Sequence, residues 1–396
     1  MMAAVIIFAL IFEVLSFLAI KDHYLKPSGV ISYIIAAIHF SLSAIMWVYI
    51  FKVIIYRGCP DEPSHLNDRL IFTGLLSAVL IPRSIFSTVH FTGKLIRRKK
   101  GEHIRWLTNT AIICSAAISL VFGYGSIFGR FNFRTEEVPV NIKDLNQALD
   151  GIRIAHLTDM HLSSFYNKSC RLEEAMKTAD SYNPDLIVNT GDFITLGYRE
   201  FDRFDTVLVK YRGKFGNFAI LGNHDMGTYL PGNYQEEKRS TQERMRDLVL
   251  KSGYYVLNDE NTIISIKGVK VAIIGVKTAG SHPDIIYGDL KKAVAGTDSA
   301  SLKILLCHDP NQWEEDVVGK TDIELSLAGH THGMQMGIIT RNFRWSPAGR
   351  YYPRWNGLYT EGDQHLYVNR GLGVLGVPFR IWMPPEITII TLRSVK

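Results

Sequence analysis

Disulfide chemistry is nearly missing from this chain. Its 396 residues hold four cysteines, Cys59, Cys114, Cys170 and Cys307, and no two form a Cys-x-x-Cys pair. That excludes a disulfide framework and a zinc knuckle. It leaves the redox compartment open, because an oxidising compartment does not require disulfides. No internal repeat and no low-complexity tract interrupts the sequence. No basic cluster precedes the first apolar run, so that run is not read as a cleaved signal peptide. Aromatic–basic interleaving of the kind that binds single strands is not seen, so a nucleic-acid partner is not expected. The charge surplus is modest, +6 with a pI near 8.9. It suits an anionic substrate or an anionic membrane surface, and equally a bland excess.

Hydrophobic residues are plentiful but unevenly placed. They make up 47% of the chain and crowd into its first third. Four apolar stretches run over 3–20, 30–56, 70–91 and 107–128. Each approaches or exceeds the ~20 residues a helix needs to cross ~30 Å of hydrocarbon. A multi-pass membrane region over 1–128 is therefore expected, followed by a linker over 129–150 and a globular domain over 151–396. Basic residues in short loops set orientation. Lys21 and Lys26 lie in the first loop; Lys94, Arg97, Arg98, Lys99, Lys100 and Arg105 lie in the third. In the second, Arg57 and Arg69 are offset by Asp61, Glu62 and Asp68. Loops one and three then face the cytoplasm, and the globular domain is extracytoplasmic. Glu13 and Arg83 fall inside predicted spans and are expected to pair or to snorkel. Pro82 predicts a kink in the third helix.

Beyond residue 150, short apolar strands alternate with helices, as in one α/β or α+β domain of layered sheets. The chemistry sits where those strands end. Asp159 and His161 follow one strand, Asp192 the next, and Asn223, His224 and Asp225 the third. His308 follows another, and His330 and His332 a fifth. Strand ends of one sheet lie side by side, so these groups can converge on one rim. In extended chain, residues i and i+2 point the same way, so Asp159/His161 and His330/His332 can each clamp one ion. A lone Asp-x-His means little, because strand-end aspartates are commonly turn residues. The ordered set of five is another matter.

That set resembles the calcineurin-like metallophosphoesterases, whose pattern is Asp-x-His, Gly-Asp, Gly-Asn-His-Asp/Glu, a lone His, then Gly-His-x-His. All five blocks occur in order over 151–333. Gly329-His330-Thr331-His332-Gly333, Tyr367–Gly373 and Pro385-Glu386-Ile387-Thr388 make it most similar to bacterial YkuE/YaeI-type phosphoesterases. It departs at Met334, where a glycine is usual. The resemblance implies a four-layer β-sandwich flanked by helices, preceded here by about four transmembrane helices. It implies two divalent transition-metal ions, Mn, Fe, Zn, Co or Ni, a choice that mixed N/O donors favour over Mg or Ca. One ion is held by Asp159, His161, Asp192 and His332, the other by Asp192, Asn223, His308 and His330. Asp192 bridges them, and His224 faces the leaving group, steadied by Asp225. Water activated by the metals would then attack phosphorus.

On the substrate side, Asn369 and Arg370 are candidate phosphate contacts. Trp345, Tyr351, Tyr352, Trp355 and Tyr359 are read as a lid near the bilayer or as ordinary packing, with Arg380, Trp382 and Met383 as a second such patch. The expected activity is hydrolysis of phosphomono- or phosphodiesters, and a lipid-linked or cell-envelope phosphate suits the anchor. Two alternatives stand beside it. One is a UDP-2,3-diacylglucosamine pyrophosphatase, whose cytoplasmic donor conflicts with the expected topology. The other is an inactive membrane scaffold, which the complete ligand set opposes. Oligomeric state is not legible in the sequence.

Overall fold

The computed structural model describes residues 2–23, 29–100 and 105–396. Lys26 and the side chains of Arg97, Arg98, Lys99, Lys100 and Arg105, on which the orientation argument leans, lie outside the described residues. The chain forms two compact units. One comprises Met1–Gly58, His65–Phe128 and Gly376–Phe379; the other comprises Cys59–Ser64, Gly129–Leu375 and Arg380–Lys396.

The first unit is helical: α1 (Met2–His23), α2 (Val30–Ile55), α3 (Pro63–Leu75), α4 (Ile81–Lys100) and α5 (Arg105–Ile127). Four stretches are long and apolar enough to cross a membrane: Ala3–Asp22, Ser32–Ile55, Pro63–Ile96 and Trp106–Phe131. Phe8, Ile34, Phe51 and Leu120 stand exposed on them. A water-soluble bundle would turn such side chains inward. The third span is longer than its apolar centre suggested. A π-helical turn over Leu76–Leu80 joins α3 to α4 just before Pro82. Proline lacks the N–H that would bond four residues back, and the widened turn absorbs that defect. Arg83 Nη1 meets Glu13 Oε2 at 2.7 Å and Ser43 Oγ at 2.9 Å, while Nη2 donates to His39 O at 2.8 Å. Glu13 and Arg83 thus pair inside the helical bundle.

The second unit is built on two six-stranded sheets. The first uses β1 (Arg134–Lys143), β2 (Arg153–Leu157), β3 (Leu186–Asn189), β4 (Asn217–Ala219), β5 (Tyr255–Val256) and β12 (Glu386–Val395), in the order β1-β12-β2-β3-β4-β5. The second uses β6 (Glu260–Ile266), β7 (Val269–Gly275), β8 (Leu302–Leu306), β9 (Leu325–Ala328), β10 (Gly357–Glu361) and β11 (Gln364–Val368), in the order β10-β11-β9-β8-β7-β6. In the first sheet β2, β3 and β4 run parallel, with β12 antiparallel to β2, and in the second β7, β8, β9 and β11 run parallel. Such strands are buried on both faces and read as continuous apolar runs. Ile154, Val188, Phe218 and Ile390 pack against Ile273, Ile304, Leu306 and Leu327 between the sheets. Helices α6 (Ser169–Ser181) and α7 (Gln235–Lys251) cover the outer face of the first sheet through Leu172, Met176, Met245 and Val249. Trp313 and Val317 cover the outer face of the second.

Residues 129–150 are not a linker throughout. β1 pairs in parallel with β12 over ten residues, from Arg134↔Glu386 to Lys143↔Val395. Its Pro139 is tolerated because β1 is an edge strand, where a missing N–H breaks no ladder on the open side. The segment Cys59–Ser64, between α2 and α3, also belongs to this unit: Asp61 is fully buried and accepts from Arg199 Nη1 at 2.9 Å.

Candidate metal centre

Five parallel strands deliver the site. β2 ends two residues before Asp159, β3 three before Asp192, β4 four before Asn223, β8 two before His308 and β9 two before His330. At each end the chain turns hard. Asp159, His161, Asp192, His330 and His332 all adopt left-handed backbone, with φ of 49°, 42°, 57°, 69° and 50°. Non-glycine residues rarely do so, and such strain collects at functional sites. Two glycines make room: a Cβ on Gly222 would stand 2.2 Å from Asp192 Oδ1, and one on Gly329 would stand 2.2 Å from Asp159 Oδ2.

The side chains gather into two groups, Asp159/His161/His332 and Asp192/His308/His330. In the first, His161 Nε2 faces His332 Nε2 at 3.1 Å, and His332 Nε2 lies 3.2 Å from Asp159 Oδ1. In the second, His308 Nε2 lies 3.0 Å from Asp192 Oδ2 and 3.1 Å from His330 Nδ1. Asp192 Oδ2 is also 3.9 Å from His161 Nε2, so this carboxylate reaches both groups. His330 and His332 therefore serve different groups. The expectation that alternate residues clamp one ion holds for Asp159 and His161, which share a group, but not for His330 and His332.

The outward nitrogens are tied down. His308 Nδ1 donates to Thr190 O at 2.7 Å, His330 Nε2 meets Tyr352 Oη at 2.8 Å, and His161 Nδ1 lies 3.3 Å from Thr195 Oγ1. Such partners fix tautomer and ring orientation in metal-ligating histidines. Asn223 Nδ2 donates to Tyr229 Oη at 2.8 Å, while its buried Oδ1 has no hydrogen-bond partner. A buried amide oxygen left bare is costly unless something binds it. Imidazole nitrogens facing each other, two ionised carboxylates and that orphaned oxygen fit divalent cations well. Asp159 is buried, which alone would raise its pKa, but the neighbouring His332 holds it well below the usual carboxylate range. Asp192 is likewise held low by His308 and His224 against its burial. Burial opposes a proton on His308, yet Asp192 raises its pKa to about 10.

His224 lies beside these groups and belongs to neither. Its Nδ1 donates to Thr195 O at 2.6 Å, and its ring stacks on Tyr229 at 4.0 Å. Burial holds its pKa below the ordinary value, against the pull of Asp192 and the Thr195 carbonyl. Asp225 does not steady the ring. Its carboxylate accepts from the backbone N–H of Asp192, Ile194 and Gly222, clamping two ligand loops together. Burial and the Asp192 charge push its pKa well up.

The two substrate-side candidates are corrected. Arg370 is 4% exposed; Nη2 donates to Glu136 Oε1 at 2.7 Å, and Nε contacts Glu386 Oε2 at 2.6 Å. The latter contact is bent off the N–H axis and acts as an ion pair rather than a hydrogen bond. Asn369 is fully buried: Nδ2 donates to His156 O and Thr388 Oγ1, and Oδ1 accepts from Gly371 N. Both brace the sheet, and neither faces a substrate. Tyr229 and Tyr352 were not singled out for the roles they occupy. The only hint in the sequence was Tyr352 within the aromatic run after His332. Met334 sits at φ 44°, the conformation a glycine takes without strain.

Comparison with known proteins agrees with this geometry. The calcineurin-like phosphoesterase family matches residues 152–334. The uncharacterized metallophosphoesterase YkuE of Bacillus subtilis (strain 168) is 31% identical over 288 residues, 69% of this chain and 91% of that protein. A transmembrane protein with metallophosphoesterase domain from Danio rerio is 24% identical over 348 residues, 84% of this chain and 75% of that one. The phosphodiesterase YaeI of Escherichia coli (strain K12) is 27% identical over 243 residues, 61% and 82%. The chain belongs to the calcineurin-like metallophosphoesterases and is a metal-dependent phosphoester hydrolase.

Proposed function

We propose that this protein is a membrane-anchored, two-metal phosphoesterase acting on lipid-linked or cell-envelope phosphate esters. The membrane region is residues 1–128. The catalytic domain, first drawn at 151–396, extends back to 129 because β1 belongs to its sheet. Asp61, in the loop between α2 and α3, is bound to Arg199. This contact supports a topology in which that loop and the catalytic domain share a side, and the basic residues of the first and third loops favour the cytoplasm for the other side.

Asp159, His161, Asp192 and His332 would hold one ion; Asp192, Asn223 through Oδ1, His308 and His330 would hold the other. Such a metal pair withdraws charge from a phosphoryl group and lowers the pKa of water. The rest falls to the protein. Thr190, Thr195 and Tyr352 hold the imidazoles at fixed angles, so little reorganisation is needed at the moment of reaction. His224 keeps Nδ1 on the Thr195 carbonyl, which leaves Nε2 for the leaving oxygen. An anionic phosphate beside the ring favours the imidazolium against burial, and the imidazolium can then give up its proton.

The observation carrying this reading is the pair of three-residue groups reached by one carboxylate, Asp192. The test is metal analysis by mass spectrometry with hydrolysis of bis-p-nitrophenyl phosphate and p-nitrophenyl phosphate, comparing wild type with Asp192→Asn. About two metals per chain in wild type, and loss of metal and activity in the variant, are expected. Wild type that stays metal-free and inactive after Mn, Fe or Zn is added would refute it.

A further inference from the structure

The segment that carries the last two site histidines continues into an unusual surface. Over residues 331–360 there is no aspartate and no glutamate, but four arginines: Arg341, Arg344, Arg350 and Arg354. The first three are exposed, and among the described residues none of those three is in an ion pair. Beside them stand large apolar side chains that nothing in this unit covers. Met334 is 42% exposed, Phe343 56%, Trp345 49% and Tyr351 46%; Trp382 is 70% exposed. Isolated exposed hydrophobes need no explanation, but a group interleaved with unpaired arginines does.

This surface is rigidly joined to the metal centre. The ribbon Ile338–Ile339/Arg344–Trp345 leaves the His332 turn directly. Ser346 Oγ donates to Gly333 O at 2.7 Å, and Thr331 Oγ1 donates to Trp355 O at 2.8 Å. Behind the ribbon, Ala348, Tyr352, Trp355 and Met383 form a small core, from which Tyr352 reaches His330. Trp382 is tied in through Ile381, whose N–H donates to Gln335 O at 2.9 Å. Three residues before Trp382 in the chain, Phe379 belongs to the helical unit, where its ring packs on Phe122 at 4.8 Å. Met334 adds a further sign. A methionine held at positive φ is strained, yet it is spent on an exposed position.

We propose that this arginine–aromatic surface docks on an anionic lipid bilayer and so opens the metal centre towards the membrane surface. Trp, Phe and Tyr partition to the headgroup boundary, and unpaired arginines complement anionic lipid at about fivefold in binding per residue. The substrate that meets the site first is then an amphiphile with its phosphate at the headgroup level. The docking rests on the reading of the four apolar helices as spans; the statement about substrate rests on the phosphoesterase reading.

The test uses the full chain in lipid nanodiscs. Trp47→Phe and Trp106→Phe remove the two tryptophans of the helical unit, so that Trp345 and Trp382 report on the surface. Quenching by dibrominated acyl lipid is compared with and without anionic phosphatidylglycerol. Strong bromine quenching that rises with anionic lipid is expected, and it should fall by about half or more when Trp345→Phe and Trp382→Phe are added. Arg341→Gln/Arg344→Gln/Arg350→Gln should lose the dependence on anionic lipid while keeping both tryptophans. Turnover of the soluble diester bis-p-nitrophenyl phosphate should stay within about twofold in both sets. Quenching that does not change when Trp345 and Trp382 are removed overturns the proposal. So does shielding of both from bromolipid and from aqueous acrylamide alike, which would mean that protein covers them, and so does quenching by an oligonucleotide in place of lipid. Because the signal requires neither metal nor turnover, its failure leaves the phosphoesterase reading standing. An inactive enzyme that still docks leaves the surface standing.

Discussion

Replacing Arg370 by methionine separates a structural arginine from a phosphate-binding one. The guanidinium is buried between two carboxylates of unequal exposure. Glu136 is 45% exposed, and losing its partner costs about 0–1 kcal/mol. Glu386 is fully buried. One of its oxygens accepts from Tyr367 Oη and Thr388 Oγ1, each at 2.6 Å, and the other has only Arg370. Removing the cation strands a buried carboxylate, which costs about 3–5 kcal/mol. For a domain of this size each kcal/mol lowers Tm by about 2–4 °C, so the catalytic unit should melt about 6–20 °C earlier. Adding Glu386→Gln removes the stranded charge and should recover part of the loss. Thermal unfolding followed by fluorescence in detergent measures both. Steady-state kinetics below the melting range should show KM for bis-p-nitrophenyl phosphate within about twofold of wild type. An unchanged Tm together with a KM raised about tenfold would refute the reasoning and restore Arg370 as a substrate contact.

Two further outcomes follow from the site. His224→Ala should retain metal, since the ring touches neither three-residue group as a ligand, but lose about 10²–10⁴ in turnover, most with poor leaving groups; loss of metal in that variant would show His224 to be a ligand. Glu200 is fully buried, and burial pushes its carboxyl up from 4.5 to about 7 despite donation from the Leu196, Thr195 and Gly197 amides. The folded state then holds a proton that the unfolded state has lost, so the stability contributed by this group is fully present below pH 4.5 and is lost as pH rises through about 7. Glu200→Gln cannot titrate and offers one acceptor oxygen instead of two. Its stability deficit against wild type, measured by denaturant unfolding, should be wide at about pH 5 and narrower at about pH 8, by up to about 3 kcal/mol. A deficit constant across that range would mean that Glu200 stays ionised throughout.

How much was legible depended on whether a feature is local in sequence. The metal-capable residues were readable because each follows its own apolar strand, and the strand end fixes its place whatever the distant chain does. Pairing across the fold was not. β1 carries Glu136, Glu137 and Pro139 and looks like a linker, because its partner β12 lies some two hundred and fifty residues away. Arg370 was misread for the same reason: Glu136, to which it donates, lies on β1, distant along the chain. Of the two outcomes expected for Glu13 and Arg83, pairing or snorkelling, the helical unit shows pairing.

Asp225 shows a subtler limit. The family resemblance implied that it steadies His224, its neighbour in sequence. Both lie in the turn beyond β4, where the His224 ring bonds Thr195 O and the Asp225 carboxylate bonds other backbone groups. Asp225 turns back and accepts three amides from the loops that carry Asp192 and Asn223. Those loops need such bracing. Five site residues sit at positive φ, each at a cost of about 1–3 kcal/mol, and such strain persists only where the surroundings over-determine it. The buried carboxylate of Asp225, the glycines at 222 and 329 and the apolar layers on both faces of the sheets supply that determination. A residue-type pattern can name the ligands. The clamp that holds them in a strained arrangement is written in contacts, and the motif alone does not show which atoms Asp225 holds.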